Sequence, residues 1–503
     1  MFMHVLEYLE KTAQTAEPGK VMDEFQEMTY PQLLQISRKV GSALSDKNIL
    51  NQPVAVLLEK SVDALSAFFG ILYAGGFYTL FNPELPKERL SQMQSVLQAP
   101  FVITDETHQA LALTIFEKDK VLLIHELQQA ESAPKRLQEI RAQHIDTSPL
   151  YINFTSGSTG TPKGVVISHK SVLDFIDVFT EEFSITQKDV IGNQAPLDFD
   201  VSVKDIYSAI KTGADLVLIP KHLFSSPAKL LDFICEHEIT TMIWAVSALC
   251  LISTFHGFDY RTPQSVNKVL FSGEVMPLKH LKTWMEHLPH AEFINVYGPT
   301  EITCNCTYHR VERGKAYADG IPIGKAFKNE RVFLLDEADR LICEAGKPGE
   351  ICVGGTAVGL GYYNAWAQSS EKFTQNPLHN RYFDRIYRTG DLGKYDENGN
   401  LYFSGRKDFQ IKYKGHRIEL EEIEKAMSEA SGVERACCVF DEEKGALYGF
   451  YIGNAERKAL HLELKAHLPV FMIPGKLVQK EAFPLTKNGK TDRKALKQEI
   501  GGK

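Results

Sequence analysis

None of the eight cysteines forms a CxxC pair, and only Cys304/Cys306 and Cys437/Cys438 are close neighbours in the 503-residue chain. The usual spacing of a zinc site or a disulfide frame is therefore missing, and reduced, mostly buried thiols are expected. No apolar run reaches the ~20 residues that a membrane-spanning helix needs. The most apolar one, Ala67 to Phe81 (AFFGILYAGGFYTLF), is broken by Gly75 and Gly76 and reads as a buried helix running into a strand. The start, MFMHVLEYLEKTAQTAEPGK, lacks a basic stretch followed by an apolar core and reads as an amphipathic helix instead of a signal peptide. A cytoplasmic protein without membrane insertion is expected. Positive charge is not in excess either: 56 Lys and Arg against 64 Asp and Glu leave −8, spread along the chain. That balance argues against nucleic acid or anionic lipid as a partner. Repeats of 20–50 residues and low-complexity tracts are also lacking, which excludes solenoids and disordered arrays.

What is present is ordinary globular composition, 44% hydrophobic and 24% charged, in a chain long enough for two to four folding units. Helical patterns such as Tyr30 to Leu44 and Pro227 to His237 alternate with short apolar runs, among them PVAVLL, PFVIT, DLVLIP, TMIWA and KVLFSG. This rhythm predicts wound α/β subdomains. From about Ala326 the texture turns to turn-rich strands (RVFLLD, GEICVGG, NGNLYFSG), and after GRKD, Gly405 to Asp408, a helix-rich tail begins that contains the amphipathic ELEEIEKAMSEA. The expected organisation is an α/β core over 1–404, β-rich over about 326–404, and a small α+β domain over 405–503.

The strongest local signal is FTSGSTGTPKGV, Phe154 to Val165, where glycines and hydroxyl residues precede Lys163. Small residues let backbone N–H groups and hydroxyls converge on an anion. The string is not the GxxxxGK[ST] loop, because Gly164 and Val165 follow the lysine.

TSGSTGTPKG, NVYGPTE (Asn295 to Glu301), YRTGD (Tyr387 to Asp391), GRKDFQIKYKGHRIELEEIE (Gly405 to Glu424) and LTKNGKTDRK (Leu485 to Lys494) stand in the order found in the adenylate-forming superfamily. The chain resembles that superfamily, which comprises acyl-CoA synthetases, luciferases and amino-acid adenylation domains, from about Thr29 to Lys494. The resemblance implies ATP binding by Thr155, Ser156, Gly157, Ser158, Thr159, Gly160 and Lys163, and by Asn295, Tyr297, Gly298 and Thr300. Tyr297 offers a flat face for the adenine. Glu301 would hold Mg²⁺ on the nucleotide phosphates, since that ion prefers one or two carboxylates plus phosphate oxygens. Asp391 suits a ribose diol, and Arg406 supplies a fixed positive charge nearby. Lys490 matches the catalytic lysine that offsets charge as a carboxylate attacks the α-phosphate. The resemblance also makes the C-terminal domain mobile, with a hinge at Asp408 and a pantetheine channel lined by the loop at Gly415. Because no phosphopantetheine attachment motif follows Lys494, the carrier is expected to be a separate chain.

NQAPLDFDVSVKD, Asn193 to Asp205, separates the amino-acid branch from ligases of fatty or aryl acids, because Asp200 matches the carboxylate that pairs with an α-ammonium. The remaining pocket positions carry over to Val201, Lys204, Trp244, Leu270, Ser272, Val296, Cys304 and Asn305, with Lys490 on the substrate carboxylate. If Trp244 points inward it leaves room only for a short side chain. Lys204 either adds polarity or snorkels to solvent. NQAP, SGEVMP and RKDFQIK are most similar to stand-alone D-alanine:carrier-protein ligases, although Ser272, Lys204 and Trp244 depart from their pattern. D-Alanine is the leading substrate expectation. The alternatives are an adenylation enzyme of nonribosomal peptide type for another small or polar amino acid, and an acyl-CoA ligase.

Overall fold

Pro53–Leu57 is apolar at every position and buried at every position, as a strand covered by helices on both faces must be. The computed structural model describes residues 3–157, 161–442, 444–485 and 491–501. In it this strand belongs to a seven-stranded sheet, parallel to Phe77–Leu80 on one side and to Val102–Thr104 on the other. The buried helix expected before Phe77 is Val62–Tyr73, capped by Ser61, whose Oγ accepts from the Ala64 N–H at 3.2 Å. Gly75 then turns the chain into Phe77–Leu80 at a φ of +83°, in a space where a Cβ would meet Ile140 and Leu50 side-chain carbons at 2.8 Å. The helix Tyr30–Leu44 covers the range its pattern predicts and opens on a reciprocal capping box of Thr29 and Gln32.

Two compact units divide the chain. One comprises Met1–Asn82, Ala99–Asn153 and Val165–Lys407, the other Pro83–Gln98, Phe154–Gly164 and Asp408–Lys503. The sequence texture assigns 83–98 and 154–164 to the N-terminal part. They group with the C-terminal residues because Glu422 takes a hydrogen bond from Arg89 at 2.5 Å and another from the Gly157 N–H at 3.2 Å.

In the larger unit a nine-stranded sheet has a parallel centre, in the order Glu292–Tyr297, Lys268–Ser272, Thr241–Ala245, Val190–Asn193, Asp215–Leu218 and Lys20–Met22, with antiparallel strands at both ends. Strand alternation sorts its side chains into two cores. Ile191, Ile243, Leu270 and Ile294 enter one, while Met242, Trp244, Val269, Phe271 and Phe293 enter the other. The β-rich part forms an antiparallel sheet from Glu330–Leu335, Gly349–Gly355, Arg385–Tyr395 and shorter partners, extended by Leu401–Arg406.

The smaller unit packs the helices Leu420–Glu429 and Arg457–His467 onto a sheet of Val433–Asp441, Ala446–Gly453 and Lys476–Gln479 around Ile423, Met427, Tyr451 and Leu464. Among the described residues all eight cysteines are free thiols, five of them buried. No described helix is long and apolar enough to cross a membrane.

Candidate active site

Thr155 ends the strand Pro149–Thr155, and Ser156 and Gly157 open the glycine-rich loop. Ser158, Thr159 and Gly160 lie outside the described residues, as does Lys490. A Cβ on Gly157 would stand 2.0 Å from the Thr161 carbonyl oxygen, so Gly157 holds a point that only glycine can occupy. The Ser156 hydroxyl donates to the Arg417 carbonyl at 2.9 Å. Glu422, bonded to the Gly157 N–H, has its carboxyl pushed up by burial, an effect that Arg89 and that N–H oppose.

NVYGPTE ends the strand Glu292–Tyr297 and enters a short 3₁₀ turn, Thr300–Ile302. A Cβ on Gly298 would lie 2.5 Å from Asn305 Cα. The chain doubles back there, and Thr303 and Cys304 both adopt positive φ, +53° and +77°, a strained pair of the kind that clusters at functional sites. Asn295 donates to the Pro322 carbonyl at 2.8 Å, so its amide pins a loop. The Tyr297 hydroxyl donates to Asp391 Oδ2 at 2.5 Å, and Arg406 pairs with Oδ1 of the same carboxylate from the directly opposed register position. Asp391 is thus a buried carboxylate held by a phenol and a guanidinium, oriented by its own N–H on Thr389 Oγ1 at 3.0 Å. Glu301 is also buried, and its Oε1 accepts from the Tyr362 hydroxyl at 2.8 Å.

Asp200 occupies the N-cap position of the helix Val201–Thr212, but its side chain makes no capping bond. The Cys304 thiol donates to the Asp200 carbonyl at 3.0 Å. One turn into the helix, Lys204 is 1% exposed and donates from Nζ to Asn305 Oδ1 at 2.7 Å. Snorkelling is thereby excluded. Burial lowers the Lys204 pKa, opposed by attraction to Cys304, Asp200 and Asp205. Behind it Asn193 donates to Asp205 at 2.6 Å. Burial pushes the Asp205 carboxyl up to about 7 and the Lys60 ammonium down to about 7. Lys60 donates to the Asn193 and Gln194 carbonyls, and Gln194 Oε1 accepts from the Ala245 N–H, so NQAP is a hydrogen-bonded brace.

Of the other pocket candidates, Ser272 closes the strand Lys268–Ser272 and is 7% exposed, and Val201 begins the helix after Asp200. Leu270 and Val296 are packed in the first core and present almost no surface. Trp244 corrects the sequence reading. It is wholly buried in the second core, donates its indole N–H to the Gly192 carbonyl at 2.8 Å and stacks edge-on against Phe224. Strand alternation turns it away from the face that carries Ile243 and Leu270, so it fills core instead of bounding a substrate. Asp408 and Gly415 belong to the smaller unit. Asp408 accepts from the Gln410 N–H at 3.3 Å. Lys414 and Gly415, at φ of +51° and +80°, make the two-residue turn between Gln410–Tyr413 and His416–Glu419.

Sequence reasoning missed Tyr362, Lys60 and Asp205 as parts of these groups. Asp205 stands in the quoted LDFDVSVKD run five residues after Asp200, about 1.4 helical turns on, yet the Lys60 charge that acts on it comes from a different segment.

Residues 5–363 match the model of the AMP-binding enzyme family. The chain is 34% identical over 493 residues to bacitracin synthase 1 of Bacillus licheniformis, covering 97% of this chain and 9% of that protein. It is 29% identical over 485 residues to tyrocidine synthase 1 of Brevibacillus parabrevis, covering 95% and 43%. The chain therefore spans less than half the length of these curated relatives. Among solved structures, holo-PA1221, an NRPS protein containing adenylation and PCP domains bound to a vinylsulfonamide inhibitor, matches with a TM-score of 0.83 at 25% identity over 98% of this chain and 84% of that one. The Vibrio cholerae adenylation domain AlmE in complex with glycyl-adenosine-5'-phosphate shares the fold, with a TM-score of 0.86 at 22% identity over 100% and 98%. Motif order, family match and fold agree, and the chain belongs to the AMP-binding enzyme family, with the fold of an adenylation domain.

Proposed function

We propose that the chain activates an amino acid as its aminoacyl adenylate, the substrate carboxylate displacing pyrophosphate from ATP, and then transfers the acyl group to the phosphopantetheine thiol of a carrier protein with release of AMP. The observation that carries this reading is the place of Asp200: a carboxylate at the start of the helix Val201–Thr212, where the family resemblance puts the partner of an α-ammonium, one turn before the buried pair of Lys204 and Asn305. An α-ammonium is the natural complement of such a carboxylate. The similarity to holo-PA1221, which contains adenylation and PCP domains, supports a carrier as acceptor. Glu301, a buried hard-oxygen donor, fits Mg²⁺, which when bound would neutralise phosphate charge. Asp391 and Arg406 would hold the ribose, and Lys490 would serve the phosphoryl step.

A small amino acid, D-alanine first, is the substrate that the sequence similarity favours. A second reading comes from Lys204 itself. Among the described residues its ammonium has one hydrogen-bond acceptor for three N–H groups, which suits a substrate side chain bearing a hydroxyl or a carboxylate.

Amino-acid-dependent ATP–pyrophosphate exchange across the common L- and D-amino acids tests the proposal. One or a few amino acids should support exchange, and Asp200→Asn should raise their KM steeply, since losing a buried charge partner costs about 2–5 kcal/mol, with ATP binding retained. Exchange driven by fatty or aryl acids and indifferent to Asp200→Asn would refute it in favour of an acyl-CoA ligase.

A further inference from the structure

Three histidines, at positions 4, 144 and 169, meet in the larger unit with one ligand-capable atom from each within 4.8 Å of the other two. His4 stands just before the helix Leu6–Thr12, His144 follows the helix Pro134–Arg141, and His169 begins the helix His169–Glu182. The rings of His4 and His169 lie 3.7 Å apart between centroids, with His144 at 5.8 and 6.4 Å from them. His4 and His169 are 2% and 0% exposed. The ring nitrogens meet the Gly75 carbonyl and the N–H groups of Val5 and Leu6, none of them a residue of the candidate active site.

Their buried nitrogens are not accounted for by the protein. Among the described residues, His4 Nε2, His144 Nδ1 and His169 Nε2 have no hydrogen-bond partner, although an unmade buried bond is costly and rare. Burial drives all three rings toward the neutral form, the form that offers a lone pair. His144 donates Nε2–H to the Gly75 carbonyl at 2.9 Å, which fixes its tautomer and leaves Nδ1 as an acceptor. That arrangement, one ring nitrogen tied to a backbone carbonyl and the other bare, is the support that metal-ligating histidines ordinarily have. Among the described residues the cation acting on all three rings is Arg141, and its guanidinium is paired with Glu10 at 3.3 Å.

We propose that His4, His144 and His169 form a binding site for one divalent transition-metal ion of the zinc type, held by three ring nitrogens with a fourth position left to water. Imidazole suits Zn²⁺ and its neighbours and not Mg²⁺, so the site would not compete for the ion of the nucleotide. Tetrahedral coordination at 2.0–2.1 Å needs nitrogens ~3.4 Å apart, so binding would draw together ring nitrogens that now lie within 4.8 Å of one another. Without metal, the N–H groups of Val5 and Leu6 approach Nδ1 of His169 and His4 at 3.4 and 3.3 Å, which puts each ring proton on Nε2. Metal binding moves that proton to Nδ1 in each ring, releasing no net proton and giving up two long, weak contacts. The ion would clamp the first helix onto the segments around residues 144 and 169.

The test uses the full chain, stripped with chelator and titrated with Co²⁺ or Zn²⁺ alone, without ATP. One equivalent of Co²⁺ should give ligand-field absorption of a tetrahedral or five-coordinate nitrogen site, and Zn²⁺ should displace it and raise the unfolding temperature. Because the chain has 16 histidines and eight cysteines, the same titration of His144→Asn, altered at the least buried of the three, identifies the site. Affinity should fall at least tenfold, about what loss of a supporting group alone costs. Pyrophosphate exchange of that variant, measured with Mg²⁺, should be unchanged. His169→Gln serves as a second variant with the same expected loss. Absence of a metal-induced rise in unfolding temperature, or equal binding by wild type and His144→Asn, would overturn the proposal and leave a buried water as the partner of the three nitrogens.

Discussion

Lys204 and Asn305, 101 residues apart in the chain, meet at 2.7 Å, ammonium to side-chain carbonyl, with neither reaching solvent. The pair depends on backbone strain, because the left-handed Thr303 and Cys304 are what bring Asn305 back over Gly298. Among the described residues the buried ammonium has one hydrogen-bond acceptor, and a substrate acceptor would complete its remaining N–H groups.

Lys204→Ala separates the two substrate readings. For a substrate carrying a hydroxyl or carboxylate, kcat/KM should fall about 10- to 150-fold, the worth of one hydrogen bond to a charged group at 1.5–3 kcal/mol. For alanine it should change only a few-fold. Pyrophosphate exchange with serine, aspartate and both alanine enantiomers makes the measurement.

Trp244→Ala should unfold the protein more readily without admitting larger substrates. The ring fills the second core and its N–H satisfies the Gly192 carbonyl, so the cavity costs roughly 3–5 kcal/mol. Trp244→Phe keeps most of the volume and loses the bond, at about 1–3 kcal/mol. Denaturant unfolding alongside an exchange profile over small and large amino acids decides; a broadened profile would return Trp244 to the substrate pocket.

How much of this was legible follows from what is local in sequence. The phosphate loop, NVYGPTE and the Asp391 turn are contiguous strings whose residue types declare their chemistry, and amphipathic runs such as Tyr30–Leu44 declare their helices. The face of Trp244 is different. TMIWA puts 242 and 244 on one side and 243 on the other, but which side meets Leu270 depends on the pairing of Ile243 with Leu270, a relation between separate strands. Glu422 with Arg89, Lys60 with Asp205 and the three histidines are likewise products of tertiary folding, with partners up to 333 residues apart and no spacing signal.

Stability should carry a pH dependence from Glu330. Burial pushes its carboxyl up from 4.5 to about 8, with Asp174 adding to the rise, while the Ala357 N–H and Arg331 pull it down. Between those values the folded protein keeps a proton that the unfolded chain has released. Stability from this group is therefore present at low pH and lost as pH rises, by up to about 1.4 kcal/mol per pH unit. Glu330→Gln removes the titration and keeps an acceptor for Ala357. Its margin over wild type should grow through that window and level off above it, in urea unfolding at about pH 5.5, 7 and 8.5.

The two half-reactions should separate genetically. The division between the compact units falls between Lys407 and Asp408, and Asp408 is exposed, so a substitution there disturbs no core. Lys490 and the Gly415 turn both follow that point, in a stretch of about a hundred residues, too short for two independent catalytic centres. Under the proposed function this stretch serves adenylation through Lys490 and thiol transfer through the turn at Gly415, and rotation about Asp408 exchanges the two. Asp408→Pro fixes φ at the pivot. It should leave pyrophosphate exchange within a few-fold of wild type while transfer to a phosphopantetheinylated carrier falls by an order of magnitude or more. Lys490→Ala should do the reverse, slowing exchange about 10²–10³-fold, as loss of one aimed electrostatic donor does, with transfer from a supplied aminoacyl adenylate retained. Equal loss of both steps in either variant, with circular dichroism and ATP binding intact, would show that one arrangement of the chain performs both.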